Sequence, residues 1–259
     1  MKTNAKRTVF FSAVALVCGA VFVFSACGEA GDGGGKVSDS EWAEKLDIRT
    51  ENYESYSIQT EQYPAYGKER AEEYGEWEMR SSDCKVDTVN GIVYSRFVEE
   101  TYDPEDENAV DGFVKTEFYG YTLSYFGKYY SYSFEVGSSA SVSDAERVSE
   151  ITKADYIEEI DIVKNQVDSF TMTANLYKMP EMKALFDYDD ETKLYEFQSG
   201  GLYLAFRFYG NGVMMRTKPT SIAVIDLTVS GFNATVVTVP SYVTDAIAAY
   251  REKNASESN

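Results

Sequence analysis

A regular alternation of aromatic and polar residues between 119 and 136 is the clearest pattern in the chain. Every second side chain of a β-strand projects from the same side of a sheet, so this alternation predicts two half-buried strands. Gly127 and Lys128 interrupt the pattern and predict the turn of a hairpin. The two strands would share one aromatic face, made of Tyr119, Tyr121, Leu123, Tyr125, Tyr130, Tyr132 and Phe134.

Further strands are predicted on both sides of this hairpin. The segment 52–63 is rich in Tyr, Ser, Ile and Thr, and Pro64 ends it. Asn90-Gly91 separates the strand-like segments 77–89 and 92–101 and suits the two positive-φ positions of a type I′ turn. Later strands are predicted at 186–188, 194–197, 202–209, 213–217, 222–229 and 235–239, with Asn211-Gly212 as a turn.

Capping signals predict where the helices begin. Ser38 and Glu41 have the spacing of a capping box, and Ser143 and Glu146 repeat it. The second box predicts a helix that continues through residues 148–151. Further helical segments are predicted at 154–163 and 169–185, broken near Pro180, and a closing helix after Pro240 would bury Val243, Ile247 and Tyr250.

Together these elements predict an α+β fold. A curved, mostly antiparallel sheet of about 10 to 11 strands would form an incomplete barrel, with a few helices packed on one face. Apolar residues make up 44% of the chain and aromatic residues 15%, which is enough to build a sizeable core. No internal repeat or second linker interrupts the pattern, so we expect one domain at 38–253 and a disordered tail at 254–259.

The first 26 residues are typical of a cleaved export signal. Lys2, Lys6 and Arg7 form a basic start, and a mostly apolar run follows from Val9 to Phe24. The run is shorter than the roughly 20 residues that a membrane-spanning helix needs. We therefore predict that residues 1–26 are removed on export.

The end of this signal, Phe24-Ser25-Ala26-Cys27, resembles the lipobox of bacterial lipoproteins. The resemblance implies that Cys27 is acylated and becomes the first residue of the mature chain, with the glycine-rich segment 27–37 as a flexible tether. The protein would then be extracytoplasmic and anchored in the outer leaflet of the bacterial cell membrane. Ordinary secretory cleavage is the alternative, and Cys18 is a poor substitute because the bulky Val17 precedes it.

Charge and composition exclude several classes of function. The chain contains no histidine, which rules out histidine-dependent triads and zinc sites, and its net charge of −19 disfavours a nucleic-acid partner. We predict no catalytic residue, no cofactor and no metal site. The acidic segments 102–112 and 187–191 are interpreted as solvated loops rather than calcium sites, and Cys84 as a small buried hydrophobe.

The order of elements, with the closing segment Gly231–Pro240, resembles the LolA-like lipoprotein carriers. That resemblance implies an incomplete barrel that binds acyl chains. We therefore predict a non-enzymatic binding or carrier module for an apolar, lipid-like ligand lined by the seven residues of the aromatic face.

Three alternatives remain open for the aromatic face and for the function. The face could be ordinary core under a helix. It could also bind a carbohydrate, because tyrosine combines a ring with a polar tip. In the third alternative the protein binds no ligand and serves as an envelope or accessory protein.

Overall fold

A computed structural model describes residues 35–136, 146–220 and 223–257. The strands are β1 Ser55–Pro64, β2 Glu78–Asp87, β3 Ile92–Tyr102, β4 Phe113–Tyr125, β5 Lys128–Val136, β6 Arg147–Ile151, β7 Asp187–Asp189, β8 Leu194–Ser199, β9 Leu202–Tyr209, β10 Gly212–Thr220 and β11 Ala223–Ser230. The α-helices are α1 Asp39–Leu46, α2 Ala71–Tyr74, α3 Lys153–Leu176, α4 Pro180–Lys183 and α5 Ser241–Glu257. Short 3₁₀ turns lie at Thr50–Asn52 and Lys68–Arg70.

All eleven strands belong to one antiparallel sheet, in the order β6-β5-β4-β3-β2-β1-β11-β10-β9-β8-β7. A first meander runs outward from β1 to β6, and a second returns from β7 to β11. The two meanders join where β1 pairs with β11. The predicted antiparallel sheet is thus confirmed. It is open, and its edges are the two short strands β6 and β7.

Helix α3 joins the two edges of this sheet. Eleven strands spaced at ~4.8 Å make a sheet about 48 Å wide, and the 24 residues of α3 span about 36 Å. Its buried residues Val163, Val167, Phe170 and Ala174 recur every three or four positions and face the sheet. We call the sheet face beneath α3 the inner face.

The inner face holds the main core around Trp42 of α1. The rings of Phe186, Tyr195, Phe206 and Phe208 surround the indole at centroid distances of 5.2–5.7 Å. The indole Nε1 also donates a hydrogen bond to the carbonyl oxygen of residue 177 at 2.7 Å. Helix α1 is therefore held against the second meander.

Helix α5 packs on the opposite, outer face, so the prediction that the helices share one face is wrong. In β3, Val93 belongs to the inner core, whereas its neighbour Tyr94 packs with Val243 and Ile247 of α5 in a separate cluster. Consecutive residues of a strand point to opposite sides of a sheet. The sheet therefore lies between two layers of helix.

The region before α3 also differs from the prediction. Residues 147–151 form β6 instead of a helix, because the edge of β5 offers them backbone partners and Val148 pairs with Tyr132. The predicted capping residue Ser143 lies outside the described residues. The helix begins only after Thr152, which forms a capping box with Asp155, and it continues without interruption through 164–168. It ends at Leu176, and α4 begins at Pro180, near which a break was predicted.

Several predicted boundaries shift as well. Residues 235–239 form no strand, and Val237 instead packs beneath α5 while its N–H donates to Asp87. Only Gly91 of the Asn90-Gly91 pair has a positive φ, because a four-residue loop replaces the expected two-residue turn. The other two turns lie one residue earlier than predicted, at 126–127 and 210–211, and α5 extends to Glu257, past the predicted start of the tail.

Candidate functional site

The structure brings all seven residues of the aromatic face together. Cross-strand pairing places Tyr119 opposite Phe134, Tyr121 opposite Tyr132 and Leu123 opposite Tyr130. Helix α5 then covers the middle of the face. The four covered side chains are at most 7% exposed: Tyr121, Leu123, Tyr130 and Tyr132.

This burial is what the core alternative predicts for the aromatic face. Tyr119, Tyr125 and Phe134 remain half-buried around the covered centre. Tyr242 of α5 packs against Tyr132 and Phe134 at centroid distances of 6.1 and 6.0 Å. A ligand could reach the four central residues only if α5 moved away.

The inner face is occupied in a similar way. Helix α3 and Trp42 fill it with large side chains, and Phe206 and Trp42 are fully buried there. Cys84 also lies in this core, 3% exposed, and burial raises the pKa of its thiol to about 12. Its predicted role as a small buried hydrophobe agrees with this position.

The carboxylates of the two acidic segments form hydrogen bonds within their own loops. Asp106 accepts hydrogen bonds from the backbone and side-chain nitrogens of Asn108, and Asp189 accepts the backbone N–H of Glu191. Among the described residues, no group of three or more acidic or cysteine side chains has a geometry suited to a metal ion. These carboxylates therefore serve to shape their loops.

An open cavity lies at the end of the sheet where β1, β2 and β3 meet the loop 65–77. We call it the strand-end pocket. Its volume is about 380 Å³, at the small end of the range of ligand sites. Four aromatic residues line it, together with polar and acidic side chains: Tyr63, Tyr66, Trp77, Tyr102, Gln62, Glu76 and Glu78.

Local features of the loop place these rings. Pro64 ends β1, and α2 stops at Gly75, which takes a positive φ of 71° and turns the chain back toward β2. The Tyr66 hydroxyl donates to the carbonyl oxygen of Glu76 at 2.9 Å, and its ring stacks on Tyr74 at 4.1 Å. Tyr66 is thus held on the pocket wall.

The opposite side of the pocket is held by Trp77. Phe113 meets its indole edge-on at 5.4 Å, and the backbone N–H of Tyr102 donates to the carbonyl oxygen of Trp77 at 2.8 Å. The ammonium of Lys68 lies 4.1 Å from the Phe113 ring and 2.6 Å from a carboxyl oxygen of Glu100. These contacts preorganise an aromatic wall beside charged groups.

Tyr63 connects the pocket to an ion pair on the outer face. Arg216 donates two hydrogen bonds to Asp226, at 2.6 and 2.7 Å, and the Tyr63 hydroxyl donates to the same carboxylate at 3.1 Å. Such a two-point pair is directional and joins β10 to β11. The ion pair therefore fixes the position of the Tyr63 hydroxyl group.

Glu61 lies directly opposite Asp226 across the β1–β11 pair. Burial and, to a lesser extent, the nearby carboxylate of Asp226 raise the pKa of Glu61, Arg216 opposes them, and the resulting pKa is about 7. One carboxyl oxygen of Glu61 is buried and has no hydrogen-bond partner among the described residues. The carboxyl group is thus poised to change its charge near neutral pH.

The sequence analysis missed the strand-end pocket. Its rings come from three separate segments, and no alternation links them. The available signal was the density of aromatic residues around the break at Pro64, where Tyr63, Tyr66, Tyr74 and Trp77 follow one another within fifteen positions.

The predicted export signal and Cys27 lie outside the described residues. None of the described helices has both the length and the apolar character that crossing a bilayer requires. No family model, curated protein or solved structure matches this chain. The likeness to LolA-like carriers therefore depends on the element order and the closing segment Gly231–Pro240 and stays a prediction.

Proposed function

We propose that this protein is a lipid-anchored bacterial lipoprotein that faces outward from the membrane and binds a glycan in the strand-end pocket, without catalysing a reaction. The observation that carries the proposal is the lining of that pocket. Four aromatic residues and three side chains that end in a carboxyl or amide group converge on one cavity of about 380 Å³.

This combination suits a sugar. A sugar ring has C–H faces, which pack on aromatic rings, and hydroxyl groups, which need hydrogen-bond partners. Tyrosine and tryptophan supply ring area together with a polar atom, and glutamate and glutamine accept or donate hydrogen bonds. An acyl chain would use the rings but would leave Gln62, Glu76 and Glu78 facing apolar groups.

A carrier for an apolar ligand is the second candidate. The aromatic face favours it, because seven large residues line one side of a hairpin, and α5, with Val237 beneath it, covers their centre. Displacement of α5 would expose a broad apolar surface. In this candidate the ligand replaces the helix, whereas in the glycan proposal the helix stays in place.

Binding to immobilised oligosaccharides tests the glycan proposal. The purified protein is passed over columns of chitohexaose, cellohexaose and soluble peptidoglycan fragments, and Tyr66→Ala and Tyr102→Ala are compared with it. Retention of the native protein should be lost in both variants because each removes one wall of the pocket. Phe126→Ala is the matched control, since Phe126 is 76% exposed at the tip of the hairpin.

Two results would contradict the glycan proposal. Retention that survives both wall substitutions would move the binding site elsewhere. Absence of retention on every column, combined with uptake of a fluorescent fatty acid, would favour the carrier.

The anchor is tested separately. Cys27→Ser should release the protein from the membrane fraction of its bacterial host, and the native protein should carry the mass of two or three acyl chains, the number that stable retention needs. A protein that lacks this mass and stays in the membrane after the substitution would contradict the anchor.

A further inference from the structure

Four large apolar side chains are exposed where α3 ends and α4 begins. Met172 is 74% exposed, Leu176 69%, Met179 59% and Leu185 50%. Single exposed apolar residues are common on protein surfaces, but four large ones within 14 residues, at the junction of two helices, point to an interaction site. We call these four residues the apolar patch.

The patch follows from the two-sided pattern of α3. The buried positions Val167, Phe170 and Ala174 face the sheet, so Met172 and Leu176, one turn apart, lie on the outward side. The last two turns of the helix, residues 169–176, contain no charged residue. An outward helix face is normally polar, as it is at Asp161 and Asn165 of α3, whereas Met172 and Leu176 make its end apolar.

The described chain begins beside the same corner of the molecule. The N–H of Val37 donates to the Tyr195 hydroxyl at 2.7 Å, and the Lys183 ammonium donates to the Val37 carbonyl oxygen at 2.7 Å. Lys183 is the last residue of α4, which lies between Met179 and Leu185. The segment that leads to the predicted anchor therefore leaves the domain next to the patch.

The length of that segment limits how far this corner can be from a membrane. Nine residues run from Cys27 to Gly35, and a chain of that length spans at most about 30 Å. A glycine-rich chain of this length has a mean end-to-end distance of about 15 to 18 Å. That distance is shorter than helix α3, so the corner that holds Lys36 stays close to the bilayer.

We propose that the apolar patch rests on the lipid surface in which Cys27 is anchored, and so sets the orientation of the domain on the membrane. The inference rests on the lipid anchor of the proposed function. Lys183 and Lys178 border the patch, and each pairs with a carboxylate, Asp39 or Asp47, so no unpaired lysine charge stands between the patch and a neutral interface.

The proposed orientation also bears on the strand-end pocket. Two patch residues lie in the last turns of α3 and the other two flank α4, which packs against α1, whereas the pocket lies where β1, β2 and β3 end. No residue contributes to both. When the four patch residues rest on the membrane, none of the residues that line the pocket is used for that contact.

Depth-dependent fluorescence quenching tests the inference on the acylated protein. Leu176→Cys and Met172→Cys are each labelled with an environment-sensitive fluorophore, since Cys84 is only 3% exposed and does not compete for the label. The proteins are placed in zwitterionic vesicles of phosphatidylethanolamine and phosphatidylcholine that contain a doxyl-labelled lipid. Val110→Cys and Val89→Cys are the matched controls, 73% and 69% exposed on distant loops.

The patch labels should lose roughly half of their emission to a quencher placed 5 to 10 Å below the headgroups, the depth reached by interfacial apolar side chains, while the control labels should not. Equal quenching at patch and control positions in acylated, vesicle-bound protein would overturn the inference alone. Missing acyl mass, with protein that fails to float with the vesicles, would overturn the anchor as well. Shielding of the patch labels in solution without vesicles would indicate a protein partner and would also overturn it.

Discussion

Replacing Tyr130 by phenylalanine should make the protein more stable. Tyr130 is 0% exposed beneath α5, and its hydroxyl group has no hydrogen-bond partner among the described residues. The ring itself is well packed: Tyr125 and Tyr250 meet it edge-on at 6.4 Å each. The ring and the hydroxyl of this residue therefore have opposite effects on stability.

The magnitude follows from these two environments. A hydroxyl buried without a partner costs about 1 to 3 kcal/mol, so Tyr130→Phe should raise the free energy of unfolding by that order. For a protein of this size, each kcal/mol moves the melting temperature by about 2 to 4 °C. Truncation to alanine should instead lower the free energy of unfolding by about 3 to 5 kcal/mol, because it removes the ring and leaves a cavity.

Urea denaturation followed by circular dichroism measures both changes, provided that the slope of the transition is unchanged. Tyr195→Phe is the matched control. Tyr195 is also buried, and its hydroxyl accepts the N–H of Val37 at 2.7 Å, so this variant should lose about 1 kcal/mol.

A destabilised Tyr130→Phe would refute the reasoning, because it would mean that the hydroxyl has a partner, such as a buried water. A near-native Tyr130→Ala would mean that the aromatic face is an open surface rather than a core.

Three further predictions concern other parts of the fold. Thr152→Ala should cost about 1 kcal/mol in urea denaturation, because the Thr152 side chain accepts the N–H of Asp155 at the start of α3; an unchanged midpoint would show that the cap is dispensable. Glu61 has a folded pKa of about 7, above its ordinary value of 4.5, so the stability linked to its protonation is complete below about pH 4.5 and is lost as the pH rises to 7. Glu61→Gln should therefore become more stable than the native protein above pH 7, by about 2 to 3 kcal/mol, with the difference fading below pH 5; parallel stability curves would contradict this. Cys84 should react with a thiol reagent such as DTNB only at the rate of unfolding, and immediate labelling of the native protein would show that β2 is accessible.

Local patterns predicted most of the sheet because apolar and polar residues alternate within the individual strands. The hairpin around Gly127 and the closing helix after Pro240 were both recognised, since their periodicities are strong and their ends carry turn or capping residues. The helix predicted through residues 148–151 failed for a non-local reason. A short polar segment becomes a strand there because β5 presents an unpaired edge, which only the assembled sheet creates.

The candidate site was harder to predict for the same reason. The aromatic face was found as a pattern, but what covers it, α5, follows about a hundred residues later in the sequence. The strand-end pocket has no pattern at all, because Tyr66, Trp77 and Tyr102 meet only after β1, β2 and β3 align their ends. Periodicity shows which side a residue faces and not what lies opposite it.

The pairing of the first strand with the last delays folding in a chain that is synthesised from its amino end. Strand β1 appears early, but its partner β11 appears only when nearly all of the chain has been made. Trp42, in the first helix, likewise cannot pack against Phe206 and Phe208 until those residues have emerged. Until then the first meander has an exposed edge and an uncovered apolar face, the features that chaperones recognise and that promote misassembly. Completion of the fold is thus delayed until nearly the whole chain has emerged, and a chain stalled before β11 would remain a target for proteases.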